Sequence, residues 1–115
     1  MASDSAALSI EIHQLHAGLC SALADATRIL LIYALSDRPH NVTELVNALS
    51  LPQSTVSRHL KVLREHGMVS MVRQGQNVEY SLADRRLIET LDILRDVLRD
   101  SLTRRALLVS EQETL

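Results

Sequence analysis

The stretch Val42-Thr-Glu-Leu-Val-Asn-Ala-Leu-Ser-Leu-Pro-Gln-Ser-Thr-Val-Ser-Arg-His-Leu-Lys-Val-Leu63 decides the fold. Its first part opens a short helix, capped by Asn41 or Thr43 and ending near Leu49. Ser50-Leu51-Pro52 interrupts the pattern, because the residue before a proline disfavours helix. A second helix is expected from about Gln53 to His66, with Val56, Leu60 and Leu63 at i, i+4 and i+7 on one face. Pro52 suits its first turn and Gly67 its end. Leu45, Leu49, Leu51, Val56 and Leu60 then form a small apolar junction that holds the two helices at an angle. Two short helices, a tight turn and a shared apolar corner make a helix-turn-helix.

Downstream of Gly67 the period changes. Val69 and Met71, then Val78, Tyr80 and Leu82, alternate with polar residues, as strands do. Gln74-Gly75-Gln76-Asn77 between them is turn chemistry, so the segment reads as a β-hairpin. Asp84 is expected to cap a last long helix with Leu87, Leu91, Leu94 and Leu98 as its stripe and Ile88, Val97 and Leu102 beside it. The tail from about Ser110 reads as polar and frayed. Upstream, Leu8, Ile12, Leu15 and Leu19 form the stripe of a first helix from about Ser5 to Leu23. Asp25 caps a second helix, with Thr27 and Arg28 in its first turn. That helix is apolar nearly all round from Ile29 to Leu35, so it is placed centrally and ends at Pro39. No repeat, linker or low-complexity segment divides the 115 residues. A single domain, residues 1–115, is expected, mainly α with one small β-hairpin.

Bulk composition narrows the class. A 46% hydrophobic and 23% charged chain is globular rather than disordered. With two Tyr and no Trp or Phe, its core must be aliphatic. One cysteine, Cys20, excludes an intrachain disulfide framework and suits a reducing cytoplasm. The opening Met1-Ala2-Ser3-Asp4-Ser5 lacks the positive start of a secretory signal. No apolar run is long enough to span a bilayer. These points place the protein in the cytoplasm and away from membranes.

The net charge of −2 weighs against a DNA binder unless positive charge is concentrated locally. It is. Between Gln53 and Gln76 stand Arg58, Lys61, Arg64 and Arg73 against Glu65 alone. The polar flank Gln53, Ser54, Thr55, Ser57, Arg58, His59 and Lys61 suits base edges and phosphates of a major groove. Arg58 can pair bidentately with guanine and Gln53 with adenine, while His59 can touch a phosphate. Arg73 and Gln76 beside Gly75 put donors at the hairpin tip. Any one of these elements alone is compatible with an ordinary solvated face. Their order and tight spacing point to a winged helix-turn-helix that binds double-stranded DNA.

Three segments carry a family resemblance. Leu23-Ala-Asp-Ala-Thr-Arg28, Leu51-Pro-Gln-Ser-Thr-Val-Ser-Arg-His-Leu-Lys-Val-Leu-Arg-Glu-His-Gly-Met-Val69 and Arg73-Gln-Gly-Gln-Asn-Val-Glu-Tyr80 resemble the ArsR/SmtB family of winged-helix regulators. The likeness runs from about Leu15 to Leu102. It implies a homodimer that represses by binding a palindromic operator and leaves it when an inducer binds. It also implies an interface made by the first and last helices, which assigns Leu8, Ile12, Leu15, Leu19, Leu87, Leu91, Leu94 and Leu98 to it. One family metal site uses two cysteines at the start of the third helix, where this chain has Asn41 and Thr43. Another uses the last helix. Asp84 matches its first carboxylate, but Arg86, Val97 and Asp100 stand at the remaining positions. The resemblance therefore implies that both sites are lost, and no metal or cofactor is expected.

The remaining candidates for a sensor are few. His13 and His16 lie one turn apart but need a third ligand, so they read as exposed helix residues. Cys20, beside the Leu19 stripe, reads as buried and inert, and His40 as a residue at the end of the second helix. A dithiol switch within one chain is impossible with Cys20 alone. The inducer stays unidentified. The alternative to a repressor is a winged-helix interaction module without specific DNA binding. An enzyme is not expected, since no phosphate loop, zinc-protease signature or ordered nucleophile–base set occurs.

Overall fold

The computed structural model describes residues 2–114. Met1 and Leu115, the ends of the expected domain, lie outside them. The described residues form two compact units, divided between Asp84 and Arg85.

The first helix, α1, spans Ala2–Leu15, passes through a wide π-helical turn at His16–Cys20 and stays helical through Ala22. Asp25 then stops one helix and starts the next. Its backbone is extended (φ −124°, ψ 127°), and its carboxylate accepts from the Thr27 and Arg28 amides at 2.8 and 3.3 Å. This satisfies two of the amides that a helix start leaves open. Helix α2 (Ala26–Ala34) buries Leu31 and Ile32 completely but leaves Leu30 in solvent. It ends well before Pro39. Asp37 and Ser36 take over there, each bonding nearby backbone.

Helix α3 (Val42–Leu49) starts with a full capping box. Asn41 Oδ1 accepts from the Glu44 amide at 2.8 Å, and Glu44 Oε1 accepts from the Asn41 amide at 3.1 Å. Asn41, not Thr43, is thus the cap. Glu44 also pairs with Arg38 at 3.0 Å. Helix α4 (Gln53–Glu65) buries Val56, Leu60 and Leu63 completely. Pro52 sits at its N-cap (φ −60°, ψ 147°) rather than inside its first turn, and its carbonyl accepts from Thr55 and Val56. Gly67 at φ 72° ends the helix by turning the chain through the left-handed region, which costs glycine little.

Strands β1 (Val69–Gln74) and β2 (Asn77–Leu82) pair antiparallel, from Val69 opposite Leu82 to Gln74 opposite Asn77. The two-residue turn is Gly75-Gln76. Gly75 has φ 63° while Gln76 stays at negative φ, which matches the type II′ turn that suits strand twist. Tyr80 on the other edge of β2 exchanges both backbone bonds with His40, at 2.8 and 3.0 Å. His40 is therefore not a helix-end residue. It is buried, bonded to the Arg38 carbonyl at 2.8 Å, and ties the hairpin to the segment before α3. The core of this unit is aliphatic: Leu31, Ile32, Leu45, Val56, Leu60, Leu63 and Met68 are fully buried.

The second unit is helix α5 (Arg86–Thr114). At its start the Arg85 carbonyl accepts from the Ile88 and Glu89 amides at 3.0 and 3.3 Å. The helix does not fray at Ser110 but continues to Thr114, as the helix-forming Glu and Gln of that segment favour. Asp92–Arg95 and Asp96–Arg99 pair along its surface. No helix among the described residues is long and apolar enough to cross a membrane.

Candidate nucleic-acid interface

The turn between α3 and α4 is held by backbone geometry. Ser50 adopts φ 54°, ψ 46°, the one non-glycine residue at positive φ among the described residues. Its amide and that of Leu51 both bond the Val46 carbonyl. A left-handed residue followed at once by Leu51-Pro52 lets the chain reverse in three residues. Helix α4 can then pack its apolar side on α2, α3 and β1.

That packing decides which side of α4 faces water. Gln53, Ser54, Ser57, Arg58 and Lys61 are exposed and Thr55 is half-buried. Arg73 and Gln76 are exposed at the hairpin tip. Among the described residues no acidic side chain pairs with Arg58, Lys61 or Arg73. Each keeps a charge open to an anion from outside. Arg64, also exposed, donates to Met71 Sδ at 3.1 Å and so joins the end of α4 to β1.

His59 departs from expectation. It is only 7% exposed, and its ring faces Arg28 and Asp25. Its Nδ1 stands 3.2 Å from Arg28 Nη1, and its Nε2 stands 3.9 Å from Asp25 Oδ1. Partial desolvation pushes the Asp25 carboxyl up. The Arg28 amide, the nearby His59 ring and the Thr27 amide outweigh it and hold the group below its usual range. The sequence carried a signal for this burial. His59 is at i+3 from Val56 and i−4 from Leu63, so it occupies a slot in the buried stripe.

The apolar candidates on the two long helices also sort themselves. Leu8, Ile12, Leu15 and Leu19 are exposed, as are Leu94 and Leu98. Leu87 is half-buried. Leu91 is 5% exposed. Cys20 is exposed, not buried. Among the described residues no three His, Cys, Asp or Glu side chains converge as metal ligands.

Comparison with known proteins agrees with this geometry. Residues 25–71 match the model of the family described as bacterial regulatory protein, arsR family. A transcriptional repressor SmtB homolog of Synechocystis is 36% identical over 94 residues, covering 82% of this chain and 71% of that protein. The chain belongs to the arsR family. The HTH-type transcriptional repressor SmtB of Mycobacterium tuberculosis is 45% identical over 69 residues. That match covers 60% of this arsR-family chain and 51% of the repressor, so the chain spans about half the length of that relative. Among solved structures, M. tuberculosis Rv0081 superposes with a TM-score of 0.73 at 33% identity, covering 83% of this chain and 96% of its own.

Proposed function

We propose that this arsR-family chain is a sequence-specific DNA-binding repressor. In this reading it grips a palindromic operator as a homodimer in the cytoplasm and is released by an inducer. The observation that carries it is the two-sidedness of α4. Val56, Leu60 and Leu63 are sealed inside, while Gln53, Ser54, Ser57, Arg58 and Lys61 stand in solvent with their cations unengaged. A rigid helix with that division presents donors and acceptors at the spacing a major groove accepts. Thr55, half-buried, packs at the edge of the same face. Arg73 and Gln76 are assigned to the flanking backbone or minor groove.

Pairing of two copies is supported by where apolar surface remains. Of fifteen large apolar side chains exposed among the described residues, thirteen lie on the first helix and on α5. A soluble monomer seldom leaves so much apolar surface on two helices. We assign the interface to Leu8, Ile12, Leu15, Leu19, Leu94 and Leu98, with Leu87 and Leu91 at its margin. The two units act as one DNA-binding domain, with α4 helices of the two copies about one DNA turn, roughly 34 Å, apart. No cofactor, metal or catalytic role is assigned.

The test is selection from a randomised duplex library at low salt. The chain should enrich an imperfect palindrome whose half-sites are centred one turn apart. Enrichment of nothing would sink the repressor reading in favour of a winged-helix interaction module.

A further inference from the structure

The outward face of α4 leaves one polar residue of that helix inside, and its surroundings are specific. A guanidinium offers only donors, so His59 Nδ1 must accept from Arg28 at 3.2 Å. The ring proton then sits on Nε2, on the side of Asp25. Arg28 holds more than the ring. Its Nε donates to the Ala22 carbonyl at 2.6 Å, and its Nη2 donates to the Ser21 carbonyl at 3.3 Å. Those carbonyls end the first helix, where the dipole favours a cation. The Arg28 amide meanwhile bonds Asp25, which caps α2. One residue, through its side chain and its amide, thus joins the end of the first helix, the start of α2 and the middle of α4.

We propose that His59 and Arg28 are positioning residues for DNA recognition. Their hydrogen bond sets the rotation of α4 and links it to the end of the first helix, without either residue touching DNA. The proposal rests on the reading that α4 enters a DNA groove. Its logic is directional. Val56, Leu60 and Leu63 hold α4 by apolar contact, which tolerates some rolling of a helix. A hydrogen bond from a charged donor is short, angle-dependent and stronger than a neutral one. His59 also follows Arg58 directly, so a displaced ring moves the residue assigned to a base edge.

The probe is a duplex selected by the wild-type chain from a randomised library. Affinity is measured across a salt series, beside thermal melts. His59→Leu should bind about 2- to 30-fold more weakly, the range for a residue coupled to a site it does not touch. The slope of log affinity against log salt should not change, because no phosphate contact is lost. His59→Asn places an amide oxygen where Nδ1 stands and should recover most of the affinity. Arg28→Lys, whose ammonium lacks the fork needed to reach several acceptors at once, should resemble His59→Leu. Wild-type affinity in His59→Leu, a shallower salt slope, or His59→Asn as impaired as His59→Leu would each overturn the proposal. Should His59→Leu fail to fold, Arg28→Lys decides: folded with wild-type affinity, it refutes the link. Failure of the underlying reading shows separately, as a wild-type chain that enriches no duplex.

Discussion

Raising the salt concentration should separate this chain from its partner steeply, despite a net charge of −2. The magnitude follows from the exposed cations. Lys61 and Arg73 stand open to phosphate in each copy, and Arg58 and Arg64 bring the total to four. Two copies therefore neutralise between about four and about eight phosphates, which gives a slope of log affinity against log salt between about −3.6 and −7. Going from about 50 to about 200 mM salt should then cost between roughly 10² and 10⁴ in affinity. Fluorescence anisotropy on a selected duplex measures this directly. Lys61→Ala removes one contact per copy and should make the slope shallower by about 1.8. A wild-type slope near zero would refute the reasoning outright. It would mean that the acidic residues elsewhere set the field and that the open cations of α4 meet no phosphate.

Three further outcomes are expected. Arg58→Ala should weaken specific binding by about 1–3 kcal/mol and relax preference at one base pair, and a gel-shift titration with unchanged affinity would remove that role. Ser50→Gly should raise stability by roughly 0.5–1 kcal/mol. The left-handed strain of about 1–2 kcal/mol is relieved and partly offset by the freer unfolded chain. A thermal melt that moves downward would contradict it. Asp25 and Glu44 both titrate below their ordinary values of 3.8 and 4.5. For Glu44 the Asn41 amide and the Arg38 side chain are the chief causes. Such groups give stability that is fully present above those values and lost as pH falls through the depressed folded ones. Acid melts of Glu44→Gln should show less of that loss than wild type, because position 44 then carries no carboxyl to titrate.

Local chemistry was legible in the sequence and distant chemistry was not. The Asp25 cap is settled within three residues and Gly75 announces its own turn, while the cap of α3 is open between Asn41 and Thr43 in the sequence and is fixed by the Asn41 box in the structure. Arg28 and His59 are thirty-one positions apart, so nothing in a window around either shows that they meet. The hydrogen bonds between His40 and Tyr80 are hidden for the same reason. The first helix shows a subtler failure. Its stripe at Leu8, Ile12, Leu15 and Leu19 assumes uniform α spacing, but the π-helical turn at His16–Cys20 adds about one residue to a turn. That sets later side chains back by about 100°. Cys20, at the end of that turn, is exposed, as are Leu8, Ile12, Leu15 and Leu19.

The ways in which α4 is held bear on what a recognition helix requires. Its start is set by the Ser50 turn, its inner face by Val56, Leu60 and Leu63, its middle by His59 on Arg28, and its end by Arg64 on Met71. The apolar contacts contribute most of the packing energy but little resistance to rolling about the helix axis. For an ordinary core helix this would not matter. For a reading helix it does. Side-chain tips lie about 5 Å from the axis, so a roll of about 20° carries them about 2 Å. A hydrogen bond to a base edge survives only within a few tenths of an ångström of its best length. Polar ties such as Arg28–His59, although weaker in total, are the contacts able to hold that angle.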